Sequence, residues 1–326
     1  MRWSFGSKTK KQTLEQTVEG LVGIYETPKS LSIAYGVGQG EDFVIKAQLF
    51  QSLISGDAGI KQVALQRFVQ ANQLQGVACV YVLGAGEYSL HLVEAPAVAS
   101  QERSQAVSWL IRDLVSFPIE EAVIDTFELP FPRARDNLNM LYAVVMRKTQ
   151  IASIEGFTHA SGLVLTYIDI PELALKNILN LDPKYTAGCA FVQLHAQGGR
   201  LMLCQDNSIC MIRSFDLTLD NLASEEGLKS LESLCLEIHR SFDYVNSMFR
   251  KNISNTVVLA PTFLNIALIQ ESIKNTLGFE VNIFDPCENL KTEKPMSDEE
   301  KTECLCAIGA LLKDQDLKND SADKPL

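Results

Sequence analysis

The chain has 326 residues, of which 46% are hydrophobic, and its formal net charge is -11. This length suits two sizeable domains rather than one, and the apolar content is ample for globular cores. The acidic balance argues against a nucleic-acid-binding protein, which usually shows a basic face, so no nucleic-acid partner is expected.

The eight cysteines show no CxxC spacing, and several lie within apolar strand-like segments, where a cysteine behaves as a small hydrophobic residue. With only four dispersed histidines, the sequence predicts neither a disulfide framework nor a zinc site. Reduced thiols predict a cytoplasmic protein.

The start of the chain is basic and aromatic. Arg2, Lys8, Lys10 and Lys11 carry positive charge with no acid among the first eleven residues, and no apolar core of a signal peptide follows them. One interpretation is weak attraction to an anionic membrane surface. The other, which we favour because chain termini are usually loose, is a disordered leader over residues 1–17. No apolar segment approaches the ~20 residues that a membrane-spanning helix needs.

The first half of the chain opens with three strand-like segments joined by short turns. Helical spacing then alternates with buried strand-like segments. The predicted strands are Leu21–Glu26, Leu31–Tyr35, Phe43–Phe50, Val77–Leu83, Ala122–Phe127, Met140–Met146 and Val164–Ile168, and the predicted helices are Gly59–Gln73, Ser104–Phe117 and Gln150–Ser161. A helix at Leu173–Leu181 follows a proline that suits a helix start, and this segment is interpreted as the hinge between the halves.

The second half repeats the pattern more cleanly. Its predicted strands are Ala187–His195, Gly199–Gln205, Ile209–Phe215, Thr256–Leu259 and Glu280–Phe284, and its predicted helices are about 225–251, Leu264–Leu277 and Asp298–Lys313. Three hairpin strands followed by alternating helices and strands is the order of a ribonuclease H-like unit. The sequence therefore predicts an α/β protein with the actin-like ATPase fold, made of two ribonuclease H-like domains.

The predicted domains follow one another along the chain. The first covers residues 18–168 and includes a small inserted α/β subdomain at about 85–165, and the second covers 169–313. Residues 314–326 are polar and are predicted to form a disordered tail.

The ordered set of longer motifs resembles the PilM-like proteins of type IV pilus assembly. These motifs are FPIEEAVIDTFEL, LYAVVMRK, GLVLTYIDIPELAL, SLESLCLEIHRSFDYVNSMF, TVVLAP, LGFEVNIFDP and CLCAIGALLK, and the resemblance covers about residues 18–313. Within the family, the basic start, the degenerate turns and the DIPELAL hinge look most like the MshI branch of mannose-sensitive haemagglutinin (MSHA) pilus systems. The resemblance implies a cytoplasmic protein docked on an inner-membrane assembly platform. It would bind the short cytoplasmic tail of a single-pass membrane partner, with an assembly ATPase as a further partner.

The resemblance also implies three nucleotide-binding turns, and all three depart from what MgATP needs. Backbone donors can approach phosphate only where no Cβ intervenes, and Mg²⁺ needs carboxylate anchors. Tyr25 and Thr27 stand at the Asp and Gly positions of the first turn, where Pro28 also removes a donor. Gln193 and His195 take the corresponding positions of the second turn, and the third turn reads LAPT instead of a glycine cluster.

Two interpretations of these turns stay open. Glu26, Lys29, Gly198 and Gly199 could form a weak nucleotide cleft, which keeps ATP and magnesium as doubtful cofactors. Alternatively, they belong to ordinary hairpin turns, with Gly198-Gly199 as a two-residue connection, and this is the interpretation we favour.

Two histidine–aspartate pairs resemble a base with its orienting acid. Opposite strands could bring His195 and Asp206 together, and an i, i+4 spacing puts His239 and Asp243 on one helix face. No serine or cysteine nucleophile is placed beside either pair, so no catalytic residue is predicted.

A partner peptide needs an apolar groove with a few oriented polar groups. By resemblance, that groove lies where the first core subdomain meets the inserted one, and Phe131, Arg133 and Arg135 are the candidate contacts. The alternative is that Phe131 fills the local core while both arginines are solvated. The expected walls are Val77–Leu92, Leu138–Met146 and the loop Phe127–Arg135.

These observations predict a non-catalytic, actin-like scaffold that binds a peptide tail. One alternative is an active ATPase with atypical ligands. Another is the cytoplasmic domain of a type II secretion L-like protein, which would be expected to continue into a membrane span after Ile283, where this sequence shows none.

Overall fold

The computed structural model describes residues 19–53, 58–99, 101–195, 198–218, 221–222, 224, 227–262 and 266–313. In chain order, the elements are β1 (Leu21–Thr27), β2 (Ser30–Val37), β3 (Val44–Ser52), α1 (Ala58–Ala71), β4 (Ala78–Val82), β5 (Ser89–Glu94), α2 (Arg103–Ile111), β6 (Ala122–Glu128), β7 (Met140–Arg147), α3 (Lys148–Ala160), β8 (Val164–Asp169), α4 (Pro171–Leu179), β9 (Cys189–His195), β10 (Gly198–Gln205), β11 (Ser208–Phe215), α5 (Gly227–Phe249), β12 (Thr256–Leu259), α6 (Ile266–Leu277), β13 (Glu280–Ile283), β14 (Lys291–Thr292), α7 (Asp298–Glu303) and α8 (Leu305–Leu311).

The chain forms two compact units that are not consecutive in sequence. The first unit takes the described residues up to Phe127, Tyr142–Ile178 and those from Leu290 onward, and the second takes Glu128–Leu141 and Leu179–Asn289. This division differs from the expected boundary at residue 168. The reason is that β14 pairs with β3 and α8 packs on β1, which returns the end of the chain to the first unit.

The first unit is built on a six-stranded sheet in the order β14-β3-β2-β1-β4-β8. Strand β2 runs antiparallel to β1 and β3, whereas β1, β4 and β8 are parallel. Alternate residues of β1 are fully buried, with Val22 and Ile24 in the same hydrophobic cluster as Leu65 and Val69 of α1. Gly23, between Val22 and Ile24, is also buried and lies against Ala307, so both faces of β1 are covered and its burial does not follow a simple period of two.

The inserted part of this chain forms a separate three-stranded sheet in the order β5-β7-β6. Strand β5 was not predicted from the sequence, and none of its six residues is fully buried. Helix α2 ends earlier than the predicted Ser104–Phe117, and its buried residues are Val107 and Ile111. Leu110 and Leu114 are 52% and 59% exposed.

The second unit has a five-stranded sheet in the order β11-β10-β9-β12-β13. Strands β9, β12 and β13 are parallel, and β10 and β11 complete an antiparallel hairpin series. Helix α5 packs against this sheet and against α6 through one apolar stripe. The predicted starts of two helices, near residue 225 and at Leu264, lie outside the described residues.

The last predicted helix is two helices. A capping box at Ser297 begins α7, and the chain bends at Cys304 before α8. All seven residues of α8 are buried. At its end, Lys313 forms an ion pair of 2.8 Å with Asp169, and both side chains are less than 10% exposed.

Within the first unit, two glycines allow this last helix to approach β1 and α4 closely. A Cβ at Gly23 of β1 would clash with the carbonyl oxygen of Ala307, and a Cβ at Gly309 of α8 would clash with the carbonyl oxygen of Ala174.

Within the described residues, no helix is both long and apolar enough to cross a membrane.

Replacing Gly309 with alanine should lower the free energy of unfolding by about 1–3 kcal/mol or more, because a rigid backbone oxygen must move. Gly156 of α3 is the matched control, since nothing lies within 4 Å of a Cβ built there. Gly156→Ala should stabilise the chain by about 0.5–1 kcal/mol. Urea unfolding of both variants measures the difference, and equal stabilities would contradict the close contact.

Candidate functional site

The first candidate phosphate turn is a two-residue hairpin connection. Thr27 pairs with Ser30, so only Pro28 and Lys29 lie between β1 and β2. Pro28 has no N–H, and the N–H of Lys29 donates to Thr27 Oγ1 at 3.2 Å. The single backbone donor of the turn is therefore directed into the hairpin, whereas phosphate binding needs several donors facing outward. The Lys29 side chain is exposed.

Glu26, at the end of β1, is engaged by side chains of the same unit. Lys61 Nζ of α1 lies 2.7 Å from Glu26 Oε1 and donates to the carbonyl oxygen of Thr27 at 2.6 Å. The hydroxyl of Tyr81 donates to Glu26 Oε2 at 3.0 Å. The Lys61 side chain is only 6% exposed. Lys61 thus occupies the position beside Glu26 that a bound cation would need.

Glu87 completes this cluster from the turn after β4. Its Oε2 accepts a hydrogen bond from the N–H of Gly84 at 2.5 Å, and a Cβ at Gly84 would clash with the carbonyl oxygen of Glu26. Burial raises the pKa of Glu87, and it also raises that of Tyr81 well above its usual range, with the Glu26 charge adding to the effect on Tyr81. We name Glu26, Lys61, Tyr81 and Glu87 the Lys61 cluster.

The second candidate turn does not use its glycines as a connection. Gly198 pairs with His195 and Gly199 with Leu194, so both glycines lie within β10. The favoured interpretation of Gly198-Gly199 as a two-residue connection was therefore wrong. The connecting residues 196–197 lie outside the described residues.

Packing explains why these two positions are glycine. A Cβ at Gly199 would clash with the ring of Phe215, and Gly198 has a φ of 141° with the carbonyl oxygen of Phe215 beside it. Nearby, the buried Arg200 donates from Nη1 to Gln193 Oε1 at 2.9 Å.

The third candidate turn continues the sheet. The N–H of Ala260 donates to the carbonyl oxygen of Val192 at 2.9 Å, and Pro261 has no N–H to offer. Within the part of the chain that the structure describes, no group of three or more His, Cys, Asp or Glu side chains is arranged to hold a metal ion.

The two histidine–aspartate pairs are placed differently from each other. His195 ends β9 beside Gly198, whereas Asp206 follows the far end of β10. The eight residues of β10 span seven steps, roughly 23 Å, between these ends, so the structure does not bring His195 and Asp206 together. His239 and Asp243 do meet, at 3.3 Å, but both side chains are more than half exposed.

The candidate peptide-binding loop belongs to the second unit, where it packs on the end of α5. The ring of Phe131 lies 6.2 Å from that of Phe249, and Lys251 Nζ lies 5.0 Å from the Phe131 centroid. The N–H of Ala134 donates to the carbonyl oxygen of Met248 at 2.8 Å. This placement was not predicted, because the loop was expected to line a groove of the first half.

The two arginines of this loop differ in availability. Arg133 binds Asp136 with a fork, Nε to Oδ1 at 2.9 Å and Nη2 to Oδ2 at 2.6 Å. The hydrogen bond from Arg133 is the main reason that the pKa of Asp136 falls to about 2. Arg135 lies at 3.4 Å from the same carboxylate, but its side chain is 82% exposed. Arg133 therefore shapes the loop, whereas Arg135 extends into solvent.

No family model and no curated protein sequence matches this chain, but solved structures do. A chain of the PilM–PilN type IV pilus biogenesis complex matches with a TM-score of 0.70 at 18% identity, over 90% of this chain and 98% of that one. A Bacteroides thetaiotaomicron protein with an actin-like ATPase fold and unknown function gives 0.53 at 8% identity, over 88% and 95%. The cytoplasmic domain of EpsL, an inner-membrane component of the type II secretion system of Vibrio cholerae, gives 0.50 at 12% identity, over 92% and 95%.

The chain therefore has the actin-like ATPase fold, and the predicted fold class is confirmed. The two sheets with the order of hairpin strands followed by parallel strands are its two ribonuclease H-like cores. At these sequence identities the similarity establishes the fold.

Lys61→Met should lower the free energy of unfolding by about 3 kcal/mol, because it leaves the partly buried Glu26 carboxylate without its counter-ion. The double variant Glu26→Gln/Lys61→Met should recover most of that loss. Urea unfolding of the two single variants and the double variant gives the coupling energy. Additive effects would show that the two side chains do not interact.

Glu87→Gln should become progressively more stable than the original chain as pH rises. Because burial raises the folded-state pKa of Glu87, its favourable contribution is complete below the ordinary value of 4.5 and is lost as pH rises through the folded-state pKa. The amide stays neutral and still accepts from Gly84. Unfolding free energies compared at about pH 4 and about pH 7 test this, and a constant difference would contradict it.

Proposed function

We propose that this chain is a PilM-like, non-catalytic scaffold of a type IV pilus assembly platform, of the MshI type that serves an MSHA-like pilus. The observation that carries the proposal is the Lys61 cluster. An ATPase of this fold needs carboxylates and outward backbone donors at the end of β1, and here Lys61 engages Glu26 while the turn directs its only N–H inward. The ATPase fold is retained, but side chains take the place of the phosphates and the cation.

The pilus context rests on the fold comparison together with the ordered motifs. The matching structure is a chain from a complex named PilM–PilN, and the match extends over 98% of it. We infer that this chain likewise binds a single-pass inner-membrane protein through that protein's short cytoplasmic tail. It would then lie at the cytoplasmic face of the inner membrane, with an assembly ATPase as a second partner. The basic residues among positions 2–11 would add peripheral contact with anionic lipid.

The three predicted contacts take different parts in this proposal. Arg135 is the exposed cation that meets an acidic group of the tail. Arg133 and Phe131 position the loop, through Asp136 and Phe249 respectively. Glu26, Lys29, Gly198 and Gly199 bind no nucleotide under this proposal.

A type II secretion L-like function is the second candidate, because the EpsL domain matches over 95% of its length. The higher TM-score of the PilM–PilN chain favours the pilus system. An active ATPase with atypical ligands is the third, and it requires MgATP to separate Lys61 from Glu26.

Calorimetric titration should show no heat of binding with MgATP, and micromolar binding with the cytoplasmic tail peptide of the single-pass inner-membrane pilus protein from the same organism. A scrambled tail peptide is the control. Arg135→Glu should weaken tail binding by about tenfold, the equivalent of 1.4 kcal/mol, through charge reversal.

Two results would overturn parts of this proposal. Binding of MgATP with a Kd in the micromolar range, about -8 kcal/mol, would replace the pseudo-ATPase by a working one. If neither the tail peptide nor MgATP gives a heat of binding, the proposed tail-binding role is wrong. Unchanged affinity of the Arg135→Glu variant would remove the loop from the site.

A further inference from the structure

A groove lies on the first unit between α1 and β3, and its described lining residues include no member of the Lys61 cluster. Its volume is about 740 Å³, within the ~300–1,000 Å³ range of ligand-binding clefts. The lining is mostly apolar. It includes Leu49, Ile60, Val63, Ala64, Phe68 and Ala71.

Helix α1 turns large apolar side chains toward this groove as well as toward the core. Leu65 is fully buried, whereas Ile60 and Val63 are 47% and 43% exposed. A helix of an isolated unit needs only one apolar stripe. Exposed apolar residues that line a cavity mark a surface where another chain gains by covering them.

The strand beside the groove has an open edge. Strand β14 pairs only with Val44 and Ile45, and across the described residues no strand pairs with the remainder of β3 on that side. The N–H of Leu53 donates to Lys29 of the neighbouring hairpin, so by alternation Gln48 and Phe50 turn their peptide groups to the open side. An unprotected edge of this kind accepts an added strand.

Helix α7 does not fill this space. Gln48 contacts Glu300 of α7, and Leu49, the next residue of the strand, lines the groove. Because successive side chains of a strand point to opposite faces, α7 lies on the face opposite the groove.

Among the lining residues that the structure describes, Arg67 is the only charged side chain. It is exposed, and among the described residues it has no ion-pair or hydrogen-bond partner. A lone guanidinium at the rim of an apolar groove complements a carboxylate, which it can bind with two parallel hydrogen bonds.

We propose that this groove binds an extended, apolar segment of a partner protein as an added strand on β3, with a carboxylate of that segment on Arg67. The open edge supplies the main-chain bonds, Val63 and Ile60 receive alternate apolar side chains, and Arg67 sets the register. This surface is separate from the proposed tail site and does not depend on the pilus assignment.

The test uses a displayed library of random dodecapeptides selected against the full chain. Enriched peptides should show apolar residues at every second position with one acidic residue, and synthetic copies should bind in a fluorescence polarisation assay. Hydrogen exchange should show added protection at residues 46–52. Val63→Asp and Arg67→Glu should each weaken binding about tenfold.

Leu110→Asp on α2 and Arg112→Glu just after this helix are the matched controls, because both positions are exposed and lie outside the groove. Both should leave peptide affinity unchanged. Enrichment of no peptide, or of peptides with apolar residues at i and i+4, would overturn the added-strand proposal. Binding that appears only after deletion of residues 1–18 would assign the groove to the chain's own N-terminal segment and overturn the partner proposal.

Discussion

The ion pair between Lys61 and Glu26 is the interaction on which the functional interpretation depends. Lys61 is nearly buried, so its ammonium needs the Glu26 carboxylate and the Thr27 carbonyl oxygen that surround it. Separating a buried pair leaves an uncompensated charge, which costs several times what an exposed pair contributes. A nucleotide and its metal would have to bear that cost before binding. Under the proposed function, the chain keeps the fold of an ATPase while the Lys61 ammonium takes the place of a bound cation beside Glu26.

Close backbone contacts at two glycines also hold the first unit together. Gly23 and Gly309 let α8 lie directly on β1 and α4, where side chains would otherwise keep the elements apart. The ion pair of Lys313 with Asp169 then anchors the end of this helix beside the end of β8. The last residues of the described chain thus stabilise strands formed by the first ones, which explains why the units are not consecutive.

The two proposed binding surfaces differ in how completely their residues are already packed. The loop at Phe131 is held by its ring contact with Phe249 and by the fork of Arg133 on Asp136, so it presents Arg135 from a rigid base. The groove between α1 and β3 is instead incomplete, with apolar side chains and a strand edge uncovered. The proposed function uses the first surface for a short charged contact, and the further inference uses the second for a main-chain partner.

The sequence by itself determined the repeated order of hairpin strands, helices and parallel strands. Burial on a sheet imposes a period of two and burial of a helix a period near 3.6, and both periods are local. It also located the turns whose residues depart from phosphate binding, since Pro28 lacks a donor in any fold. The sequence contains one sign of Lys61, which is a charged residue on the apolar stripe of α1 that continues to Leu65 and Phe68. Its partner Glu26, however, is 35 residues away. Only the tertiary structure decided that pairing, the two-residue strand β14, the role of Gly198 and Gly199 against Phe215, and the docking of Phe131, because each depends on contacts between residues distant in sequence.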